Sequence, residues 1–269
     1  MTLTFIGLGL FDKTDITVKG LQAIQNADVV YLEYYTSIMH NSIEELEAYY
    51  KKKIHLAPRT LVEQQAEETI LKDAQEKSVV FLVAGDVFCA TTHSDLYLRA
   101  KEKNIQTQII NNASVFSAIA NTGLMLYRFG KTPSLVFFDA NWRPESAYDT
   151  IAQNLEQNLH TLVLLDIKVS EPTREQLQKE DYTPQPPRFM TVNQAITQLF
   201  ELEEKKKQNI LTPQTKIVAI ARLGATDQQI VYDTCENILK KDFQKPLHSL
   251  VVPAKLHFTE EEMLESFSQ

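Results

Sequence analysis

Short apolar runs alternate along this chain with longer stretches in which apolar residues return every three or four positions. The runs Leu3–Leu8, Val29–Glu33, Ile54–Leu56, Val79–Val83 and Gln106–Ile110 read as strands. The stretches Thr17–Gln25, Ile43–Lys52, Leu61–Glu76, Asp95–Lys103 and Ala113–Thr122 read as helices. Strict alternation of this kind predicts an α/β domain with a mainly parallel sheet. At 127–134 the segment YRFGKTPS combines Gly130 with Pro133 and reads as an inter-domain linker. A second α/β pattern follows. Its strands are expected at Leu135–Phe138, Thr161–Asp166, Lys216–Ala221, Gln229–Asp233 and Ser249–Val252, and its helices at Ser146–Leu159, Val192–Lys206, Thr234–Lys241 and Glu260–Phe267. Two α/β domains are therefore expected, 1–131 with a mainly parallel sheet and 132–269 with a mixed one. The proline-rich stretch 181–190 should be an extended surface loop, and EEKKKQ at 203–208 a solvated helix end.

Helix starts are marked by a hydroxyl followed three residues later by Glu or Gln. Ser42 with Glu45, Thr60 with Glu63, Thr191 with Gln194 and Thr259 with Glu262 fit this reciprocal cap. These pairs locate helices and say nothing of function.

Composition narrows the class. With 269 residues and 43% hydrophobic content, the chain can bury a sizeable core without staples. The net charge of -8, from 27 Lys and Arg against 35 Asp and Glu, argues against a general nucleic-acid binder while leaving room for a local basic patch. The two cysteines, Cys89 and Cys235, show no metal or redox spacing, and a reducing, intracellular setting is expected for them. The start MTLTFIGLGLFDKTD lacks a basic leader, and no apolar run approaches the roughly 18 residues of a membrane helix. A soluble, cytoplasmic protein without bound metal is the expectation.

Candidate chemistry lies where strands end, because open parallel sheets bind ligands at their carboxyl edges. IGLGLFDKTDIT (6–17) carries Gly-x-Gly after the first strand but has Asp12 where a dinucleotide fingerprint needs its third glycine. A carboxylate there would repel a pyrophosphate. AGDVFCATTHSD (84–95) ends a strand on Asp86, an acceptor suited to ammonium or hydroxyl groups. IINNASVFSAIANTGL (109–124) sets Ser114 where strand passes to helix. Each loop admits a turn or cap reading beside a ligand reading. His93 reads as a base or as a hydrogen-bonded structural group, His248 as a turn histidine before a strand or a ligand contact, and LLDIKV (164–169) and IARLGATDQQ (220–229) as plain core strand ends or the apolar lining of an adenine slot.

The ordered set decides between these readings. IGLGL, DITVKGL, YLEYYTS, GDVFCATTHSDL, NNASVFSAI, WRPES, HTLVLLDIKVSEP, PPRFMTVNQA, ARLGATDQ and PLHSLVV together resemble the diphthine synthases over nearly the whole chain. These form a branch of the tetrapyrrole-methylase-like methyltransferases, and WRPES (142–146) resembles their eukaryotic type. The resemblance implies two α/β domains with S-adenosylmethionine folded in the cleft between them. By motif, its cofactor contacts fall on Leu10, Asp86, Cys89, Ser114 and Val115, and in the second half on Leu165, Leu223 and His248. Val87 stands where the family commonly has Pro, Cys89 where a Gly or other small residue is frequent, and Asn111 where relatives carry His.

The implied reaction is successive methylation of the aminocarboxypropyl-modified histidine of elongation factor 2, giving diphthine methyl ester and S-adenosylhomocysteine. A homodimer is implied too. The resemblance assigns no general base. Two alternatives stand beside this reading: another methylase of the same superfamily acting on corrins or ribosomal RNA, and a non-catalytic module that binds the translation factor.

Overall fold

A computed structural model describes residues 1–169 and 186–268. The chain forms two compact units. The first comprises Met1–Phe116, and the second Ser117–Lys168 together with the chain from Pro187 on. This division falls ahead of the 131/132 boundary expected from Gly130 and Pro133.

In the first unit the elements are β1 (Thr2–Gly7), α1 (Val18–Asn26), β2 (Val29–Glu33), α2 (Ile43–Tyr50), β3 (His55–Ala57), α3 (Arg59–Glu63), α4 (Ile70–Glu76), β4 (Ser78–Val83), α5 (Ser94–Glu102), β5 (Gln106–Ile110) and the short α6 (Val115–Ala118). The strands lie in the order β3-β2-β4-β1-β5, and every neighbouring pair is parallel. A parallel sheet is covered on both faces, so its strands read as continuous apolar runs. Successive side chains leave opposite faces. Leu3, Phe5, Val79, Phe81 and Val83 pack with Ile70, Leu71 and Leu96 on one side. Ile6, Val30, Leu32, Val80 and Leu82 pack with Ile24, Leu46 and Tyr50 on the other.

The helix expected over 61–76 is broken into α3 and α4. Ala66 between them is fully buried against the first face, and closing the core there overrides local helix preference. Thr60 does not cap: α3 starts behind Pro58, and Glu63 reaches Arg59 at 3.6 Å. Ser42 does form its reciprocal cap with Glu45.

The second unit contains β6 (Ser134–Leu135), α7 (Ser146–Glu156), β7 (Thr161–Leu165), β8 (Ile167–Lys168), β9 (Arg188–Phe189), α8 (Val192–Lys206), β10 (Lys216–Ala221), β11 (Gln229–Thr234), α9 (Cys235–Ile238), β12 (His248–Val252) and α10 (Phe258–Glu265). The main sheet runs β11-β10-β12-β7-β6, antiparallel except for the β6–β7 pair, so the expected mixed sheet is present. β8 and β9 form a separate antiparallel ribbon. Of the stretch 181–190, residues 181–185 lie outside the described residues, and Arg188–Phe189 is strand.

Two expectations in this unit are corrected. β6 stops at Leu135 because the next free N–H groups are taken by side chains: Phe137 N donates to Asp166 Oδ2 at 2.9 Å and Phe138 N to Gln198 Oε1 at 3.0 Å. The cap of α10 is not Thr259 with Glu262 but His257 with Glu260, whose Oε2 accepts from His257 N at 2.8 Å. Among the described residues, no helix is long and apolar enough to cross a membrane.

Candidate functional site

Parallel strands bring their carboxyl ends to one edge of the first sheet. There the segments after β1, β4 and β5 meet. Gly9 N donates to Gly85 O at 3.1 Å and Gly85 N to Gly9 O at 2.7 Å, joining the first two loops by their backbones. Both glycines have positive φ, +90° and +75°, a conformation that costs other residues strain. A Cβ on Gly9 would stand 2.5 Å from the Asp15 Cβ. On Gly85 it would meet Ser114 at ordinary van der Waals distance, 3.7 Å and 3.9 Å, so it is the positive φ rather than crowding that favours glycine there.

Asp86 and Asn112 lock the loops together. The buried Asp86 carboxylate accepts from Asn112 N at 2.8 Å and Asn111 Nδ2 at 3.1 Å through Oδ2. Its Oδ1 faces Phe88 N at 3.4 Å and Cys89 Sγ at 3.7 Å. Asn112 Nδ2 then donates to Gly7 O and Asp15 O, both at 3.0 Å. Asp15 in turn accepts from Phe11 N at 2.7 Å and turns the segment that carries Leu10. Leu10, Asp86, Cys89 and Ser114 thus lie on these three connected loops, and Val115 opens α6 directly after the third. The Asn112 clamp was not singled out in the sequence. Its only local signal is an Asn that follows a strand and precedes a helix.

His93 serves this loop from beneath. Its Nδ1 lies 3.2 Å from Val87 O, and Thr91 Oγ1 donates to the same carbonyl at 2.8 Å. The ring is 1% exposed, with Phe81 edge-on at 5.1 Å. Burial pushes its pKa down to about 4, so the ring is neutral near pH 7. That enclosure removes His93 as a general base.

In the second unit the antiparallel register gathers the other three residues at one sheet edge. Ala221 pairs with His248, and Ser249 with Leu164, so His248 comes opposite Leu165 one step on, with Leu223 just beyond β10. Burial lowers the His248 pKa as well. Its Nδ1 accepts from Val192 N at 3.3 Å and its Nε2 faces Lys245 O at 2.9 Å, which sets the neutral Nε2–H form. Leu223 is held by the preceding Arg222, whose Nη1 donates to Phe243 O at 2.7 Å and Lys245 O at 2.8 Å. The role of Arg222 was also missed: Asp227, five positions on, accepts from its Nη2 at 3.0 Å, but the two carbonyls that tie it to the next strand's approach lie more than twenty positions away. Among the described residues, no three His, Cys, Asp or Glu side chains converge as a metal site requires.

The profile of the tetrapyrrole (corrin/porphyrin) methylases matches residues 2–239. The chain belongs to this family. It is accordingly a methyltransferase, and its similarity within the family is specific. A diphthine methyl ester synthase of Kluyveromyces lactis is 52% identical over 251 residues, 93% of this chain and 84% of that protein. One from Dictyostelium discoideum is 46% identical over 269 residues, 99% of this chain and 98% of its own. A crystal structure of a diphthine synthase superposes with a TM-score of 0.85 at 38% identity, covering 100% of this chain and 96% of that one. The family, the fold and the enzyme class read from the ordered motifs are borne out, and the non-catalytic module is set aside.

Proposed function

We propose that this methyltransferase uses S-adenosylmethionine to methylate the aminocarboxypropyl-modified histidine of elongation factor 2 in diphthamide biosynthesis, ending at diphthine methyl ester. The observation that carries the reading is the three-loop clamp at the carboxyl edge of the first sheet, built on the residues that the family's motifs mark for cofactor contact. The donor would be held by Leu10, Asp86, Cys89, Ser114 and Val115, and by Leu165, Leu223 and His248 of the second unit. The residues present fit such a ligand. The bare Cα of Gly85 lets a ligand's edge come against the backbone beside Ser114, in the place a Cβ would take. Leu10 of the first unit, and Leu165 and Leu223 of the second, would offer apolar surface to an adenine, and the clamped backbones of the first unit would offer polar groups to a ribose and an amino acid.

When bound, the sulfonium donor supplies a methyl group already activated for in-line displacement by an amine. The protein's part is then to align and to exclude water, effects worth about 7–11 kcal/mol for well-oriented reactants. Asp86 contributes as the fastener of the loops, since its oxygens already face Asn111, Asn112, Phe88 and Cys89. His248 presents a neutral ring whose nitrogens are both engaged, so it offers shape rather than charge. We propose further that the enzyme works as a homodimer in the cytoplasm. The free thiols of Cys89 and Cys235 suit a reducing compartment, and the exposed Leu126, Tyr127 and Phe258 are apolar surface available to a second copy.

Donor binding is tested by thermal unfolding with and without S-adenosylmethionine. A ligand at 100 times its Kd stabilises the native state by about 2.7 kcal/mol. A clear upward shift of Tm is expected, and an unchanged Tm at millimolar donor would overturn the assignment.

A further inference from the structure

The ribbon β8–β9 carries an unusual pairing. Its antiparallel register puts Lys168 directly opposite Arg188. Like charges facing each other across two strands repel. Both cations also crowd one aromatic ring: Lys168 Nζ lies 5.7 Å and the Arg188 guanidinium carbon 4.3 Å from the Phe137 centroid. Ring contact offsets part of the repulsion but supplies no counter-charge. Among the described residues, neither cation has a carboxylate within ion-pair distance. The nearby Asp166 turns its Oδ2 to Phe137 N at 2.9 Å. Two cations held side by side over a ring, on a chain of net charge -8, amount to a site prepared for an anion.

The place of this pair is informative. β6 and β7 pair at Leu135 and Leu165, so Phe137 and Lys168 leave the sheet just past Leu165, at the edge shared by His248 and Leu223. An anion held there would be part of the reactants. A planar guanidinium grips a carboxylate by two parallel bonds, and an ammonium adds a point charge.

We propose that Lys168 and Arg188 form the subsite for the α-carboxylate of the acceptor's aminocarboxypropyl group, an assignment that rests on the function proposed above. Holding the carboxylate leaves the neighbouring amine as the free nucleophile for the first transfers. Esterification would form an O–CH3 bond at one carboxylate oxygen as the donor's S–CH3 bond breaks, with the bond pair left on sulfur and S-adenosylhomocysteine as the leaving group, so the carboxylate's negative charge is lost with no proton to move. The cation pair then loses its grip, so the ester departs more readily than the acid.

The test uses the full-length enzyme with elongation factor 2 carrying the aminocarboxypropyl histidine. Arg188→Ala and Lys168→Ala should each raise the acceptor KM by about tenfold, as loss of a charge-assisted bond implies. Arg188→Lys should recover part of it. The Kd for S-adenosylmethionine and the Tm should stay at wild-type values. In binding assays, wild-type enzyme should prefer the carboxylate form of the methylated factor over its methyl ester, and the double variant should bind both alike. A rise in donor Kd with unchanged acceptor KM would assign the pair to the donor's own carboxylate and overturn the proposal, as would variants that match wild type in every respect. If wild-type enzyme transfers no methyl group to the modified factor, the functional reading itself fails, which the wild-type control shows before any variant is compared.

Discussion

Asp86 is a buried carboxylate whose surroundings are all donors from its own unit: two asparagines, a backbone N–H and a thiol. A hydrogen bond to a charged group contributes about 1.5–3 kcal/mol. Asp86→Ala should therefore lower stability by about that amount and weaken S-adenosylmethionine binding by loosening three loops together. Calorimetry on the variant decides this, and an unchanged donor affinity would contradict the clamp. His93 gives a pH signature. Its folded pKa of about 4 lies below the ordinary 6.5, so between these values the unfolded chain binds a proton that the native one refuses. Stability is complete above about pH 6.5 and drains away as pH falls toward 4. Tm should drop across that window, and His93→Phe should flatten the drop, with His160 and His248, also lowered by burial, leaving a residual slope. Asp86 was legible in the sequence because Gly-Asp punctuates a strand end. Asn112 was not, because its partners Gly7 and Asp15 lie 105 and 97 positions away and nothing local announces them.

At the scale of elements, the second unit is fastened by the first turn of α10. Glu260 is fully buried and pairs with the Arg128 guanidinium. It also accepts from Met125 N at 3.0 Å and His257 N at 2.8 Å, and faces His160 Nε2 at 3.1 Å. Burial alone would raise this carboxyl, yet these donors outweigh it and hold the pKa below the usual value. Removing one partner of a buried ion pair costs about 3–5 kcal/mol, so Glu260→Ala should be among the most damaging single changes. Glu262→Ala, on the exposed side of the same helix, should stay within about 0.5 kcal/mol. Denaturant unfolding of the two variants separates them, and equal losses would refute the placement of the cap. The Thr259–Glu262 pair has the spacing of a reciprocal cap, and no sequence pattern reveals that an imidazole two residues earlier does the capping. Parallel strands were easier to read, since burial on both faces leaves an unbroken apolar run such as Val79–Val83. Phe137 and Phe138 look like strand and are not, because Asp166 and Gln198 occupy their N–H groups.

For the whole molecule, an acidic chain with two α/β units and the motif set of the diphthine synthases carries a small basic feature in the Lys168–Arg188 pair over Phe137. Net charge argues against a broad nucleic-acid surface but could not show a local pair, whose halves are twenty positions apart in sequence and opposed only by strand register. The account rests on methyl transfer to a single modified side chain of one protein. The most direct measurement is mass analysis of elongation factor 2 after incubation with this enzyme and S-adenosylmethionine bearing a labelled methyl group. The account predicts label on the factor that carries the aminocarboxypropyl histidine, in steps of one methyl up to the ester, and none on unmodified factor. Equal labelling of both forms, or none of either, would contradict it.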